Sequence, residues 1–178
     1  LGVNTTGTAN TAIGTNSLQD NTTGDHNLGV GLQTLRETTT GNYNIALGSN
    51  AMLLNATGSQ NTAIGYQVLF NNTASSNTAV GYESLKANTT GASNVAVGAH
   101  ALDSNTTASA NVAVGLDALG GNTTGGSNTA CGHRALKSNT TGSSNTALGS
   151  QVLMNTTASS NTAVGAFAMQ NSTTGSHN

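Results

Sequence analysis

The sequence has little charge, few aromatic side chains, no proline and no tryptophan. Charged residues are 6% and aromatic residues 3% of the 178 residues, whereas charged residues are about a quarter of a typical globular domain. A net charge of -2 provides no basic stripe, so we expect no nucleic-acid partner. No apolar run has the length of a membrane span, and we expect no membrane insertion in this segment. A single cysteine, Cys131, excludes a disulfide framework within one chain.

What the chain has instead is a 17-residue unit that occurs ten times in succession. The unit reads close to Asn-Thr-Ala-Val-Gly-x-x-Ala-Leu-x-x-Asn-Thr-Thr-Gly-x-Ser, and its residues are numbered here as positions 1 to 17. Two copies, opened by Asn61 and Asn145, lack one residue, and we assign the loss to the variable stretch after the leucine. A short fixed period predicts the stacked coils of a solenoid. The opening asparagines are Asn10, Asn27, Asn44, Asn61, Asn77, Asn94, Asn111, Asn128, Asn145 and Asn161.

The array is interpreted as one unit over residues 1–178, with a partial coil at 1–9. Leu1 occupies position 9 of a preceding copy, and Asn178 opens an eleventh. Solenoids need atypical capping repeats at their ends, and neither end has one. We therefore expect a segment of a longer array.

Positions 2 to 5 of each copy predict a β-strand. Position 4 is valine, isoleucine or leucine in nine copies, position 3 is alanine in nine, and position 5 is glycine in all ten. Strand side chains alternate between two faces, so we expect position 4 to face the core and positions 3 and 5 to face a closely packed neighbour. Position 9, leucine or methionine throughout, is assigned to a second short strand. The expected core is Ile13, Val30, Leu47, Ile64, Val80, Val97, Val114, Cys131, Leu148, Val164, Leu18, Leu35, Met52, Leu69, Leu85, Leu102, Leu119, Leu136, Leu153 and Met169.

Glycine at position 5 and one Asn-Thr-Thr-Gly turn per coil would break any helix, which leaves an all-β parallel solenoid. Two sizeable apolar side chains per coil stabilise it by less than the ordering of 17 residues costs. Two further sources of stability are expected. The opening asparagines stack as an amide ladder from coil to coil, and several chains associate, for which we predict a homotrimer.

Two segments carry a family resemblance: residues 61–65, Asn-Thr-Ala-Ile-Gly, and residues 94–101, Asn-Val-Ala-Val-Gly-Ala-His-Ala. They resemble the head repeats of trimeric autotransporter adhesins and are similar to repeat arrays of bacteriophage tail fibres. The adhesin repeat is shorter, and the Asn-Thr-Thr-Gly turn is a departure from it. The resemblance covers essentially the whole chain. It implies a trimeric parallel β-roll displayed outside a cell or virion as a stalk or adhesive fibre, with a host receptor or glycan as partner.

The ionisable residues form no repeated constellation, so we predict no catalysis, no metal site and no cofactor. Metal ligands and paired catalytic carboxylates must converge, yet the histidines and carboxylates fall at scattered positions of different coils. Cys131 is expected to be a small buried apolar residue. The histidines are His26, His100, His133 and His177, and the carboxylates are Asp20, Asp25, Glu37, Glu83, Asp103 and Asp117.

A group of aromatic and leucine side chains is a candidate contact patch. Packing between chains is favoured over ligand binding, because subunit interfaces bury such side chains. The patch comprises Leu32, Leu53, Leu54, Tyr66, Phe70 and Tyr82.

Ten Asn-x-Thr triplets match the N-glycosylation acceptor, although they are first of all turns. Their asparagines are Asn4, Asn21, Asn55, Asn71, Asn88, Asn105, Asn122, Asn139, Asn155 and Asn171.

The leading hypothesis is a structural or adhesive fibre segment. The alternative is an ice- or surface-binding solenoid, because a flat strand face can present regular threonines. Four copies replace threonine at position 2, which argues against that alternative: Leu28, Ile45, Val95 and Val112. A glycan-cleaving tailspike would need carboxylates gathered in a groove.

Overall fold

The computed structural model describes residues 2–178 and has the architecture of a parallel β-solenoid. Leu1 lies outside the described residues. Each coil contributes one three-residue strand, which starts directly after the opening asparagine and covers positions 2 to 4. The strands are β1 Thr11–Ile13, β2 Leu28–Val30, β3 Ile45–Leu47, β4 Thr62–Ile64, β5 Thr78–Val80, β6 Val95–Val97, β7 Val112–Val114, β8 Thr129–Cys131, β9 Thr146–Leu148 and β10 Thr162–Val164.

The ten strands form a single parallel sheet in sequence order, and equivalent positions of neighbouring coils pair with each other. In β6 and β7, for example, Ala96 pairs with Ala113. This arrangement confirms the all-β parallel solenoid expected from the period. Among residues 2–178 no helix is long and apolar enough to cross a membrane.

The second strand expected at positions 8 and 9 does not form. Positions 7 and 9 have positive φ in every full coil, as at His100 (φ 55°) and Leu102 (φ 52°), and this left-handed conformation is incompatible with a strand. The segment still bonds to the next coil, since the Leu102 N–H donates to the Ala118 carbonyl at 3.1 Å. Each coil is therefore one strand followed by hydrogen-bonded turns.

The core prediction was right at position 9 and wrong at position 4. Position 9 is completely buried from Leu18 to Leu153, and Met169 packs partly buried against the same core. Position 4 points outward instead, and alanine at position 3 points inward: Ala96 is 0% exposed, whereas Val97 is 38% exposed. The outward residues are Ile13, Val30, Leu47, Ile64, Val80, Val97, Val114, Cys131, Leu148 and Val164.

The limited volume inside the coil explains why position 3 points inward and position 4 outward. The asparagines at positions 1 and 12 share the interior with the position 9 leucine, as Asn94, Asn105 and Leu102 do at 0% exposure. Two amide groups and one leucine leave room only for a methyl group on the strand side. Position 3 therefore packs in the chain's own core, and not against a neighbouring chain as expected.

The opening asparagines form the expected ladder. The backbone N–H of Asn111 donates to Oδ1 of Asn94 at 3.0 Å, and the Asn111 side chain donates from Nδ2 to the Gly125 carbonyl at 3.0 Å. The same pattern recurs along the array. Buried amide groups that bond to each other and to the backbone stabilise a coil that has few large apolar side chains.

A second asparagine ladder at position 12 was not anticipated. Asn105 Nδ2 donates to Oδ1 of Asn88 at 2.8 Å and to the Ala108 carbonyl at 3.0 Å, and it is completely buried. This ladder shows at which position the short coil opened by Asn61 lacks a residue. Asn72 keeps position 12, where Asn88 donates to it at 2.7 Å, so the loss falls in the turn that follows and not after the leucine.

The position 12 ladder is interrupted where threonine replaces asparagine. Thr38 is buried at this position, and neither its hydroxyl oxygen nor the neighbouring Asn21 Oδ1 has a hydrogen-bond partner within residues 2–178. A buried polar atom without a partner costs about 1–3 kcal/mol.

Thr38→Asn is expected to raise the free energy of unfolding by about 1–2 kcal/mol, because its amide would donate to Asn21 and accept from Asn55. Urea denaturation measures the change. The control is Thr40→Asn, which adds the same amide at an exposed turn position. Equal stability of the two variants would contradict this account of the ladder.

Candidate functional site

The most unusual surface of the molecule is the outer sheet face, defined as the side chains at positions 2 and 4 of all ten strands. None of these 20 residues is buried. Six of them are threonines, and the other 14 are valine, isoleucine, leucine or cysteine. Among its valine, isoleucine and leucine side chains, the most exposed are Ile13, at 58%, and Val164, at 68%. The chain thus exposes a continuous row of β-branched and leucine side chains that a core normally buries.

No charged side chain lies on this face. All ten charged residues occupy positions 7, 10, 11 or 16, which belong to the turns. Because burying an unpaired charge is costly, a surface without charges can be removed from water by a partner at little penalty. The sequence contained this signal, since positions 2 to 6 carry no charge in any copy.

Parallel in-register pairing makes the outer sheet face regular. With neighbouring strands about 4.8 Å apart and about 3.3 Å per residue, ten strands span about 43 Å by about 10 Å, or about 430 Å² of flat area. The largest apolar patch on a typical monomer is about 300–600 Å² and is often functional, and the outer sheet face lies in that range with 14 apolar side chains among its 20.

Cys131 belongs to this face. The sequence places it in the core column, but it is exposed, because position 4 points outward. Its thiol is therefore a native chemical reporter on the outer sheet face, in β8.

The candidate contact patch is divided by the structure. Three of its members occupy position 6, next to the strands, and are exposed: Leu32, Tyr66 and Tyr82. The other three belong to positions 10 and 11, and they are half-buried or, for Leu53, buried at 6% exposure. Only the position 6 residues extend the outer sheet face: Leu32, Tyr66, Tyr82 and, not anticipated, Leu116.

Aromatic rings of neighbouring coils contact one another along the edge of the outer sheet face, at positions 6 and 7. The rings of Tyr66 and Tyr82 lie 5.5 Å apart at 17°, and His100 meets Tyr82 edge-on at 5.3 Å. The negative charge of Glu83 raises the pKa of Tyr82, and the hydrogen bond from Lys86, at 2.9 Å, lowers the pKa of Glu83. Tyr82 is therefore a neutral side chain at physiological pH.

Asp117 is a carboxylate with two cationic neighbours. Asp117 accepts from Lys137 Nζ at 2.9 Å and from Arg134 Nε at 3.4 Å. Although partial burial acts to raise the pKa of Asp117, these two cations hold it below its usual value. Burial raises the pKa of nearby Asp103. Asp103, Asp117 and Lys137 line a shallow, open groove together with Gly120 and Gly121.

The structure does not bring the histidines together. His26 stacks on Tyr43 at 4.9 Å, and His100 lies 3.6 Å from Asp103 and 3.8 Å from Glu83. Within residues 2–178 no group of three or more histidine, cysteine or acidic side chains is placed to hold a metal ion.

Comparisons of the chain with protein-family models, with curated proteins and with solved structures give no match. The physical properties of the surface therefore carry the functional argument.

Proposed function

We propose that the protein is a structural segment of an extracellular fibre, a stalk or adhesive head, in which copies of the chain pack through the outer sheet face. The observation that carries this proposal is a continuous face without charge that holds 14 apolar side chains, nine of them exposed and five half-buried. Its role is mechanical and adhesive, and it involves no catalysis and no cofactor. The long axis of the fibre runs along the stack of coils.

The number of copies is proposed to be three. A chain with a flat apolar strip on one side buries that strip when three chains surround a common axis parallel to their coils. The resemblance to trimeric adhesin heads supports the same number. A host-surface receptor or glycan would then be bound by the turns, which remain outside such an assembly.

Size-exclusion chromatography with light scattering tests the assembly. The wild-type chain should have three times the 17.5 kDa mass of one chain. The double variant Val97→Lys/Val114→Lys should be monomeric and folded by circular dichroism, because two charges on the outer sheet face oppose its burial while both sites are solvent-exposed.

The matched control is Thr107→Lys/Thr124→Lys, which adds the same charges to exposed turn positions of the same two coils; it should remain trimeric. Alkylation of Cys131 gives a second measurement, since the thiol should be protected in the assembly and reactive in the monomeric variant. A wild-type chain that stays monomeric at high micromolar concentration would refute the proposal.

An ice- or surface-binding solenoid is the second candidate. The observation that favours it is that the six threonines of position 2 do point outward from a regular sheet, such as Thr62 and Thr78 in β4 and β5. The substitutions at Leu28, Ile45, Val95 and Val112 interrupt their array. Thermal hysteresis in a freezing assay, lost in the Val97→Lys/Val114→Lys variant, would favour this candidate over the fibre.

A further inference from the structure

Nine of the ten Asn-x-Thr triplets fall into two structural groups. Six asparagines lie at position 12 and are completely buried: Asn21, Asn55, Asn88, Asn105, Asn122 and Asn139. Three asparagines lie at position 11 and are exposed or half-buried: Asn71, Asn155 and Asn171. Asn4, in the partial coil, occupies position 12 of the same ladder, where its Oδ1 accepts from Asn21 Nδ2 at 2.9 Å, and it is assigned to neither group. The sequence motif is the same in both groups, but the environment of the side-chain amide differs.

In five of the six buried asparagines both protons of Nδ2 are already donated. Asn55, next to Thr38 in the ladder, donates one, to the Gly58 carbonyl at 2.9 Å. Asn122 is typical, since its Nδ2 lies 3.0 Å from Oδ1 of Asn105 and 3.0 Å from the Gly125 carbonyl. A sugar on this nitrogen would replace one of the two protons. It would also have to occupy the inside of a coil in which the neighbouring position 9 leucine, Leu119, is 0% exposed.

In the open group the side-chain amide is exposed or half-buried, and its Nδ2 donates no more than one hydrogen bond. Asn71 Nδ2 makes one bond, at 3.1 Å to the Lys86 carbonyl. Asn155 Nδ2 makes one bond, at 2.8 Å to Oδ1 of Asn171, on the protein surface. An N-linked sugar leaves one proton on the nitrogen, so each of these bonds can persist after modification.

We propose that Asn71, Asn155 and Asn171 are the N-glycosylation sites of the folded chain, and that a sugar on any of the six buried asparagines excludes folding. In the reaction, Nδ2 forms a bond to the anomeric carbon of a lipid-linked diphosphate oligosaccharide. The bond from that carbon to the diphosphate oxygen breaks, and one Nδ2 proton passes to a base of the transferase. Since transfer precedes folding in a secretory pathway, modification at position 12 blocks the stacking of coils.

The experiment separates the two groups through the threonine that completes each triplet. For the six buried asparagines this threonine lies at position 14 and is exposed. Its replacement by alanine removes the acceptor motif and leaves the asparagine ladder intact. The six threonines are Thr23, Thr57, Thr90, Thr107, Thr124 and Thr141. The control variant removes the three open motifs through Thr73→Ala, Thr157→Ala and Thr173→Ala. Both variants, made in bacterial cytoplasm, should melt close to the wild type.

The wild type and both variants are then secreted from yeast behind a cleavable signal, with and without tunicamycin, which blocks synthesis of the sugar donor. Without tunicamycin, the six-threonine variant should yield about tenfold more protease-resistant chain than the wild type. Peptide mapping should find sugars at Asn71, Asn155 and Asn171 and none at the six buried asparagines. The yield of protease-resistant chain from the control variant should be as low as that from the wild type. Tunicamycin should reduce the differences in yield between the three chains.

Two results would overturn the proposal. One is a protease-resistant wild-type chain that carries a sugar at any of the six buried asparagines. The other is a six-threonine variant that folds in bacteria but is secreted no better than the wild type, while tunicamycin rescues the wild type.

Discussion

Asn111→Ala is expected to lower the free energy of unfolding by about 3–5 kcal/mol. Oδ1 of Asn111 accepts from the backbone N–H of Asn128 at 2.9 Å and from its side-chain Nδ2 at 3.2 Å. Alanine leaves that buried N–H without its acceptor and removes the donation to the Gly125 carbonyl. Because each coil contacts only its neighbours, the loss should also uncouple the coils on either side of the substitution.

Denaturation by urea gives the free-energy change, and hydrogen exchange at the Asn128 amide gives the local effect. The matched control is Thr124→Ala, which deletes an exposed polar side chain from the same coil and should change stability by no more than about 0.5 kcal/mol. If Asn111→Ala and Thr124→Ala were equally stable, the asparagine ladder would contribute nothing to the fold.

Gly98→Ala is expected to destabilise the chain by about 3 kcal/mol or more, through two separate effects. Gly98 has φ +134°, a conformation that side chains other than glycine rarely adopt, and the strain is about 1–3 kcal/mol. A Cβ at this position would also lie 2.6 Å from the Gly115 carbonyl oxygen and 2.7 Å from its carbon. Both atoms belong to the backbone of the next coil, so relief of the clash requires the two coils to separate.

Gly165 provides the control for the clash. It has φ +115°, yet a Cβ there meets nothing within 4 Å. Gly165→Ala should therefore show the conformational part alone, and its midpoint in urea should lie clearly above that of Gly98→Ala. Identical midpoints would mean that the close stacking of the position 5 glycines does not limit the spacing of the coils.

Much of the fold could be predicted from the repeat. The opening asparagine fixed where each strand starts, and Asn94 precedes Val95–Val97 as Asn111 precedes Val112–Val114. The asparagine ladder followed from identical amides at a fixed spacing. The second ladder was missed because position 12 reads as turn chemistry, although threonine at Thr38 and Thr156 shows that the position favours a small hydrogen-bonding side chain in the interior.

The candidate site could be predicted only in part. The sequence alone shows that positions 2 to 6 carry no charge, and this absence of charge distinguishes the outer sheet face from the turns. The expected contact patch combined Leu53, which is buried, with Tyr66 and Tyr82, which are exposed. Residues at positions 6 and 10 of one coil point into different environments, because the positive φ values at positions 7 and 9 redirect the chain between them.

The sequence by itself determined the period, the parallel register and the residues that repeat in each column, because those follow from identity between copies. Only the tertiary structure decided which side of the strand is inside. Alternation predicts two faces but not which of them is buried, and hydrophobicity favoured Val97 over Ala96. The closed coil reverses that choice, since Leu102, Asn94 and Asn105 already fill its interior and only a methyl group fits beside them.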